Sequence, residues 1–423
     1  MTDGAGNVDD IRAEVRAWLA TTWDPQRPLD QWRELLVESG WGCPTWPRQW
    51  WGRGLGADAA AAAVADEIQR AGAVGAAIGV GMALAAPTIL QHGTDELKRR
   101  HLRMIASGAE TWCQLFSEPG SGSDLAGLTT RATRDGDEWV VNGQKVWTTG
   151  AQHASFGMLL ARTDWDAPKH DGISFFALPM HQPGVEVRPL RQMNGRASFN
   201  EVFLTDAHVP HANLVGALHG GWQVARTTLA HERGLAASLF GTLPRGDGRT
   251  AGEALEEAIA YLKTYEWYPQ RAGRPDLAAG LCRTLGRSGD PVSRQQTAAL
   301  HALERAAGWT ADRARAARQA GRSPGPEGSL AKLLASEIAR RSAAVHTGLV
   351  GAHGLLVGEG AVAGGVIGEV LLSTPAASIA GGTDEVQRNI IGERILELPR
   401  EPSVDTGIAF RTVRTNQPAA GSP

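Results

Sequence analysis

The sequence predicts an α+β multidomain protein in which a helical domain is followed by a β domain and then by a second helical domain. Three successive regimes of hydrophobic period predict it. From about Val8 to Ala109 apolar residues recur every three or four positions, as on helices packed by one face. From about Trp112 to His211 the period falls to two, that of half-buried strands. From Gly220 to about Glu397 the helical period returns. The boundaries on this reading are a helical domain over 1–111, a β domain over 112–214, a helical domain over 215–400 and a flexible tail over 401–423.

The first helical region reads DIRAEVRAWLA, DQWRELLVESG, the alanine-rich GADAAAAAVADEIQRAG and PTILQHGTDELKRRHLRMIASG. In the β region, EWVVNGQKVWTT has a central Asn-Gly between alternating segments, which predicts a hairpin turn. SFGMLLART, GISFFALPM, GVEVRPL and FNEVFLTD follow as short strands. The breaks GRSGDP (286–291) and GRSPGPEGS (321–329) separate long helices such as VSRQQTAALHALERAAGWTADRARAARQA. The closing REPSVDTGIAFRTVRTNQPAAGSP has no period and reads as a tail.

Composition bounds the function. The 423 residues carry 42 Lys plus Arg against 45 Asp plus Glu, a net charge of -3, so no nucleic acid is expected as a partner. Three widely spaced cysteines, Cys43, Cys113 and Cys282, suit neither a disulfide framework nor a zinc site, and point to a reducing cytoplasm. The 12 histidines form no metal-ligand spacing, so no metal is expected. The opening MTDGAGNVDD lacks the basic and apolar regions of a secretory signal. Ser342 to Gln387 lacks Lys and Arg, but its glycines and the polar His346, His353, Glu359 and Glu369 argue against a membrane span. The 14 tryptophans, as in WGCPTWPRQWWGRG, read as packing and loop anchors.

Chemistry concentrates in WCQLFSEPGSGSDLAGLTT, residues 112 to 130, and the KVWTTG that follows at 145 to 150. Gly120 and Gly122 let backbone N–H groups approach a polyanion, and Ser117 and Ser123 add hydroxyls. An anion cradle and an ordinary turn both suit this loop, which lacks a P-loop lysine. Trp147 and Thr149, two residues apart on a strand, would share a face. They read either as a core tryptophan beside a strand threonine, or as a flat cover and hydrogen-bond donor for a planar ring.

With SEPGSGSDLAGLTTRATRDGDEWVVNGQKVWTTGA, FNEVFLTDAHVP and the late GGTDEVQRNIIGER in one order, the chain resembles the acyl-CoA dehydrogenase flavoproteins over about Ile11 to Arg400, most of all their actinobacterial branch. The resemblance implies an N-terminal helical domain, a middle β domain and a C-terminal four-helix bundle, with FAD as cofactor and an acyl-CoA as substrate. It places Phe116, Ser117, Gly122 and Ser123 along the flavin and the CoA phosphates. Trp147 would lie against the isoalloxazine ring, the Thr149 hydroxyl would point at flavin N5, and Thr383 would belong to the FAD site. An electron-transferring flavoprotein is the implied electron acceptor.

The implied reaction gives the α proton of the thioester to a carboxylate and the β hydrogen, as hydride, to flavin N5. Such a base works best in a dry pocket, where desolvation raises its proton affinity. Many members carry that glutamate directly before the late Gly-Thr, a position held here by Gly381, next to Gly382. In GGWQVARTTLAHERGLAASLF, positions three, four and seven from Glu232 are Ala225, Thr228, Leu229, Leu235, Ala236 and Leu239, so Glu232 is expected on the buried face. The residues alone leave it either paired with Arg233 or a distant arginine, or used as a base. HERGL lacks the second histidine of a zinc helix. LAHER is similar to the L-x-x-E-R pattern of members whose base lies on this helix. That resemblance makes Glu232 the base and Gly381 and Gly382 room for substrate.

Many homotetrameric members show Arg-x-x-Phe-Gly where this chain reads YLKTYEWYPQRAGRPDLAAGL, so the resemblance leaves homo-oligomer and heteromer with a related subunit both open. Besides the dehydrogenase, the same fold admits a flavin oxidase or monooxygenase, a dehydrogenase of carrier-protein thioesters, or a subunit supporting a sister chain.

Overall fold

Asn7 starts the first helix by accepting a hydrogen bond from Asp9 N, and Ile11, Val15 and Leu19 at four-residue spacing turn one stripe of that helix inward. The computed structural model describes residues 7–56, 58–239, 243–244, 246–320, 325 and 327–414, excepting the side chains of 58, 233–239 and 318–319. Two units divide the chain. The first takes its described residues from Met1–Leu190, Ala197–Thr264 and Val404–Pro423, and the second from Arg191–Arg196 and Tyr265–Ser403.

The first unit begins with helices α1 (Val8–Thr22), α2 (Leu29–Ser39), α3 (Asp58–Arg70), α4 (Ala86–His92) and α5 (Asp95–Ser107). Glu67 on α3, buried, receives Arg12, Arg16 and Arg70 at 2.8, 2.7 and 2.7 Å, which locks α1 onto α3. A π-helical turn, Gly81–Ala85, precedes α4. Seven strands form one sheet: β1 (Trp112–Leu115), β2 (Arg131–Asp135), β3 (Glu138–Thr149), β4 (Phe156–Arg162), β5 (Ile173–Pro179), β6 (Val185–Leu190) and β7 (Phe199–Pro210). Their order is β1-β4-β2-β3-β7-β6, with β5 paired to β4. Alternation on β4 and β5 feeds two cores. Met158, Leu160, Phe175 and Ala177 pack with the helices, while Leu159, Ala161, Phe176 and Leu178 pack with Trp139 and Val202. Each buried phenylalanine contributes about 1.5–3 kcal/mol.

Helices α6 (Gly221–Leu239) and α7 (Arg249–Lys263) belong to this first unit, although sequence reading assigns them to a helical domain over 215–400. Thr228 on α6 meets Thr88 on α4 at 3.0 Å, and Arg33 on α2 meets Glu257 on α7 at 2.6 Å.

Two expectations are corrected. Asn142-Gly143 is not a hairpin turn: β3 runs through it, and the turn from β2 lies at Asp135–Glu138. The pairing of β3 with β7 shifts between Val141 and Gly143, and a Cβ at 143 would collide with Thr130 Oγ1 and fall 2.8 Å from Thr130 Cα. This glycine serves a close approach to Thr130, next to a bulge carried by β7. The stretch expected to form a flexible tail over 401–423 is docked over Val404–Arg414, where Phe410 is buried beside Trp165. The remainder, 415–423, lies outside the described residues.

The second unit is a helical bundle of α8 (Tyr268–Arg271), α9 (Ala278–Thr284), α10 (Pro291–Gln319), α11 (Glu327–Val350), α12 (Val366–Ser373), α13 (Pro375–Ile379) and α14 (Asp384–Arg394). Small buried residues along α11, among them Ser336, Ala339 and Ser342, let neighbours approach closely. Gly273 fits there because a Cβ would fall 2.7 Å from Ala339 Cα. Buried His346 donates from Nε2 to the carbonyls of Gly273 and Arg274 at 3.1 and 3.0 Å. Val362–Arg394 is long and apolar enough to cross a membrane by composition. It is broken into four helical pieces, of which the longest is the 11-residue α14.

Candidate functional site

A buried ion pair builds the Gly/Ser loop after β1. Lys145 on β3 is fully buried and gives Nζ to Glu118 Oε1 at 2.9 Å and to the Phe116 carbonyl at 3.0 Å. Glu118 also accepts from Thr129 N at 2.7 Å, Thr129 Oγ1 at 2.9 Å and Thr130 N at 2.9 Å. Burial alone would push this carboxyl up, but the Lys145 ammonium and the threonine donors hold it at about 2. Between these anchors, Glu118 and Ser121 exchange backbone hydrogen bonds at 2.9 and 3.0 Å across Pro119-Gly120. The turn leaves Gly122 and Ser123 exposed, with nothing within 4 Å of a Cβ at 122.

The same strand presents the aromatic residue. Val146 N donates to the Ser117 carbonyl at 2.9 Å, so loop and strand run side by side. Directly after, the register shifts between Lys145 and Thr148, and Trp147 is the extra residue, with φ at 64°. Its ring is 56% exposed and meets Phe199 edge-on at 5.7 Å. Thr148 is buried and Thr149 half-buried. Burial thus runs exposed, buried, half-buried from Trp147 to Thr149 once the register resumes at Thr148.

Glu232 is half-buried on α6, whose Val224, Ala225 and Thr228 are fully covered. Gln114 Nε2 donates to Glu232 Oε2 at 3.1 Å. Arg233, the adjacent cation considered as its partner, and Leu235, Ala236 and Leu239 lie outside the described side chains.

The second unit holds the late glycine motif. Gly381 and Gly382 have φ of 70° and 83°, a region that favours glycine. Nothing lies within 4 Å of a Cβ at 381, whereas one at 382 would fall 2.6 Å from Gln387 Nε2. Thr383 caps α14 by accepting from Val386 N at 3.2 Å. Asp384, buried, is gripped by Lys332 at 2.9 Å and Arg340 at 2.5 Å. Burial would raise its carboxyl, and these cations hold it well below the usual carboxylate range.

The first unit thus brings Phe116, Ser117, Gly122, Ser123, Trp147 and Thr149 onto one loop and strand, and ties Glu232 to the same β1 segment through Gln114. Gly381, Gly382 and Thr383 stand together in the other unit. Sequence reading missed Gln114, Glu118 and Lys145. For Gln114 and Lys145 the signal was polarity between apolar residues in WCQLF and KVW, where a buried polar group needs a partner, whereas Glu118 stands in the polar SEPGSGSD run and gave none. An exposed tryptophan forced to positive φ beside an open glycine loop fits a flat, phosphate-bearing cofactor such as FAD.

The chain runs helical, β, helical, with an open Gly/Ser loop beside a bulged strand that carries an exposed tryptophan. Family models match all three parts: acyl-CoA dehydrogenase N-terminal domain over 7–109, middle domain over 113–207 and C-terminal domain over 276–396. The chain belongs to the acyl-CoA dehydrogenase family, whose members carry out FAD-dependent oxidation of CH–CH donors. It is 34% identical over 418 residues to acyl-CoA dehydrogenase IpdE1 of Mycobacterium tuberculosis, covering 93% of this chain and 99% of that protein. It is 37% identical over 393 residues to acyl-CoA dehydrogenase FadE34 of the same organism, covering 93% of this chain but 49% of the larger protein. Among solved structures, the Tcur3481-Tcur3483 steroid ACAD aligns with a TM-score of 0.64 at 28% identity, over 95% of this chain and 99% of that one.

Proposed function

We propose that this chain dehydrogenates an acyl-CoA thioester to its trans-2-enoyl-CoA, with Glu232 as the base. The single observation carrying this is a half-buried carboxylate on α6 held by the Gln114 amide, two residues before Phe116 and the Gly/Ser loop. FAD, when bound, supplies the two-electron acceptor for the β hydrogen. The chain's part is to hold Glu232 so that Oε1 or Oε2 takes the α proton, and to seat the cofactor with Phe116, Ser117, Gly122, Ser123, Trp147, Thr149 and Thr383. Gly381 and Gly382 are assigned to the substrate, which the open space at 381 supports. An electron-transferring flavoprotein is the proposed acceptor, and the cytoplasm the proposed site.

The assembly is proposed as a homo-oligomer or a heteromer with a related subunit, the latter supported by the double designation of the Tcur3481-Tcur3483 steroid ACAD. The test is anaerobic flavin absorbance during addition of short, branched, long and steroid acyl-CoAs. One of them should bleach the flavin, and Glu232→Gln should retain FAD while slowing bleaching by several orders of magnitude. Near-normal bleaching in Glu232→Gln would assign the proton to another group.

A further inference from the structure

The family models end at residue 396, yet Val404–Arg414 returns to the first unit. Phe410 N donates to the Ala167 carbonyl and Arg411 N to the Trp165 carbonyl, both at 3.0 Å, and Ala409 bridges Pro168. Two side chains in this segment reach the Gly/Ser loop through one intermediary each. Asp405 meets Lys169 Nζ at 2.5 Å, and the same Nζ meets Asp124, the loop residue next to Ser123, at 2.8 Å. The Phe410 ring lies 3.3 Å from Arg162 Cζ. Arg162 is fully buried, and its Nη2 and Nε hold the Ala126 and Leu128 carbonyls at 2.7 and 3.2 Å. Burial pushes this guanidinium down to about 10, so an aromatic face over it stabilises the cation where water is absent.

We infer that Val404–Arg414 is a strap whose Asp405 and Phe410 are positioning residues for the 117–130 loop. The inference rests on the reading of that loop as a binder of the thioester's nucleotide. Asp405 fixes the loop at Asp124 through Lys169, and Phe410 fixes its later half through Arg162. Without them the exposed Gly122 and Ser123 would sample more backbone conformations, and a ligand would have to order them on binding.

The test compares Asp405→Asn, Asp405→Glu, Phe410→Leu and a chain ending at Ser403 with the full chain. Amide exchange across 117–130 and titration of coenzyme A itself are the readouts. Phe410→Leu should speed loop exchange and weaken coenzyme A by roughly thirtyfold, the size of a desolvated cation–π contact. Asp405→Asn should do the same by roughly tenfold, as for loss of a charge-assisted contact, and Asp405→Glu should restore both. Amides of α1 and α3 should stay unchanged. Unchanged loop exchange in Phe410→Leu and in the shortened chain would overturn the strap, as would faster exchange with coenzyme A affinity unmoved. A full chain that does not bind coenzyme A would sink the reading of the loop instead, and loop exchange alone would then decide the strap.

Discussion

The Gln114 side-chain amide donates to Glu232 Oε2 at 3.1 Å, joining β1 to α6 at the one acid proposed to take a proton. A neutral donor can fix the carboxylate's direction without adding the charge that an arginine would bring. Gln114→Leu should therefore keep FAD content and slow anaerobic flavin bleaching by roughly tenfold to a hundredfold, the range for a lost hydrogen bond to a charged group. An unchanged bleaching rate would reduce Gln114 to a packing residue.

Trp147 allows ring and backbone to be separated. At φ 64° any non-glycine residue is strained by about 1 kcal/mol or more. Both Trp147→Ala and Trp147→Gly should loosen FAD, but Trp147→Gly should recover part of the folding stability because glycine relieves the bulge. Full FAD retention in both, measured by absorbance after gel filtration, would count against a stacking role.

The Glu118–Lys145 pair gives a pH signature. Glu118 ordinarily titrates near 4.5 and in the folded chain near 2. A depressed carboxylate adds stability that is present above about 4.5 and is lost as pH falls through about 2. The gap in urea midpoint between the native chain and Glu118→Gln should be widest above that range and narrow below it. Lys145→Met, which removes the ammonium and leaves the buried carboxylate only its neutral donors, should cost about 3–5 kcal/mol near neutrality. A pH-independent gap would show that Glu118 acts through packing alone.

Fold class was legible because period is local: DIRAEVRAWLA and GVEVRPL carry three-to-four and two-residue patterns regardless of tertiary context. The loop and Trp147 were legible as motifs, and Glu232 stood out as an acid among apolar neighbours. Their partners were not. Gln114 and Glu232 are 118 residues apart, Lys145 and Glu118 are 27 apart, and nothing in one chain says which buried polar groups meet. Asn142-Gly143 misled for a different reason. A glycine demanded by close approach to Thr130 has the same letter as a glycine demanded by a turn. The closing segment looked like a tail because a single buried ring, Phe410, anchors it without periodicity.

Three glycines make the last prediction. At 143 a methyl group would meet Thr130 Cα, a backbone atom, at 2.8 Å, so relief requires moving β3 itself. At 382 the nearest atom is the far end of Gln387, which can swing aside after giving up its hydrogen bond to the Gly381 carbonyl at 3.2 Å. At 381 no atom lies near, and only the left-handed φ of 70° opposes a side chain. Gly381→Ala should thus cost about 1 kcal/mol. Gly382→Ala should cost about 1–2 kcal/mol more through the lost hydrogen bond, and Gly143→Ala the most of the three. Thermal melts of the three variants give the order, and Gly381→Ala proving the worst would mean that the space at 381 is filled in the folded protein.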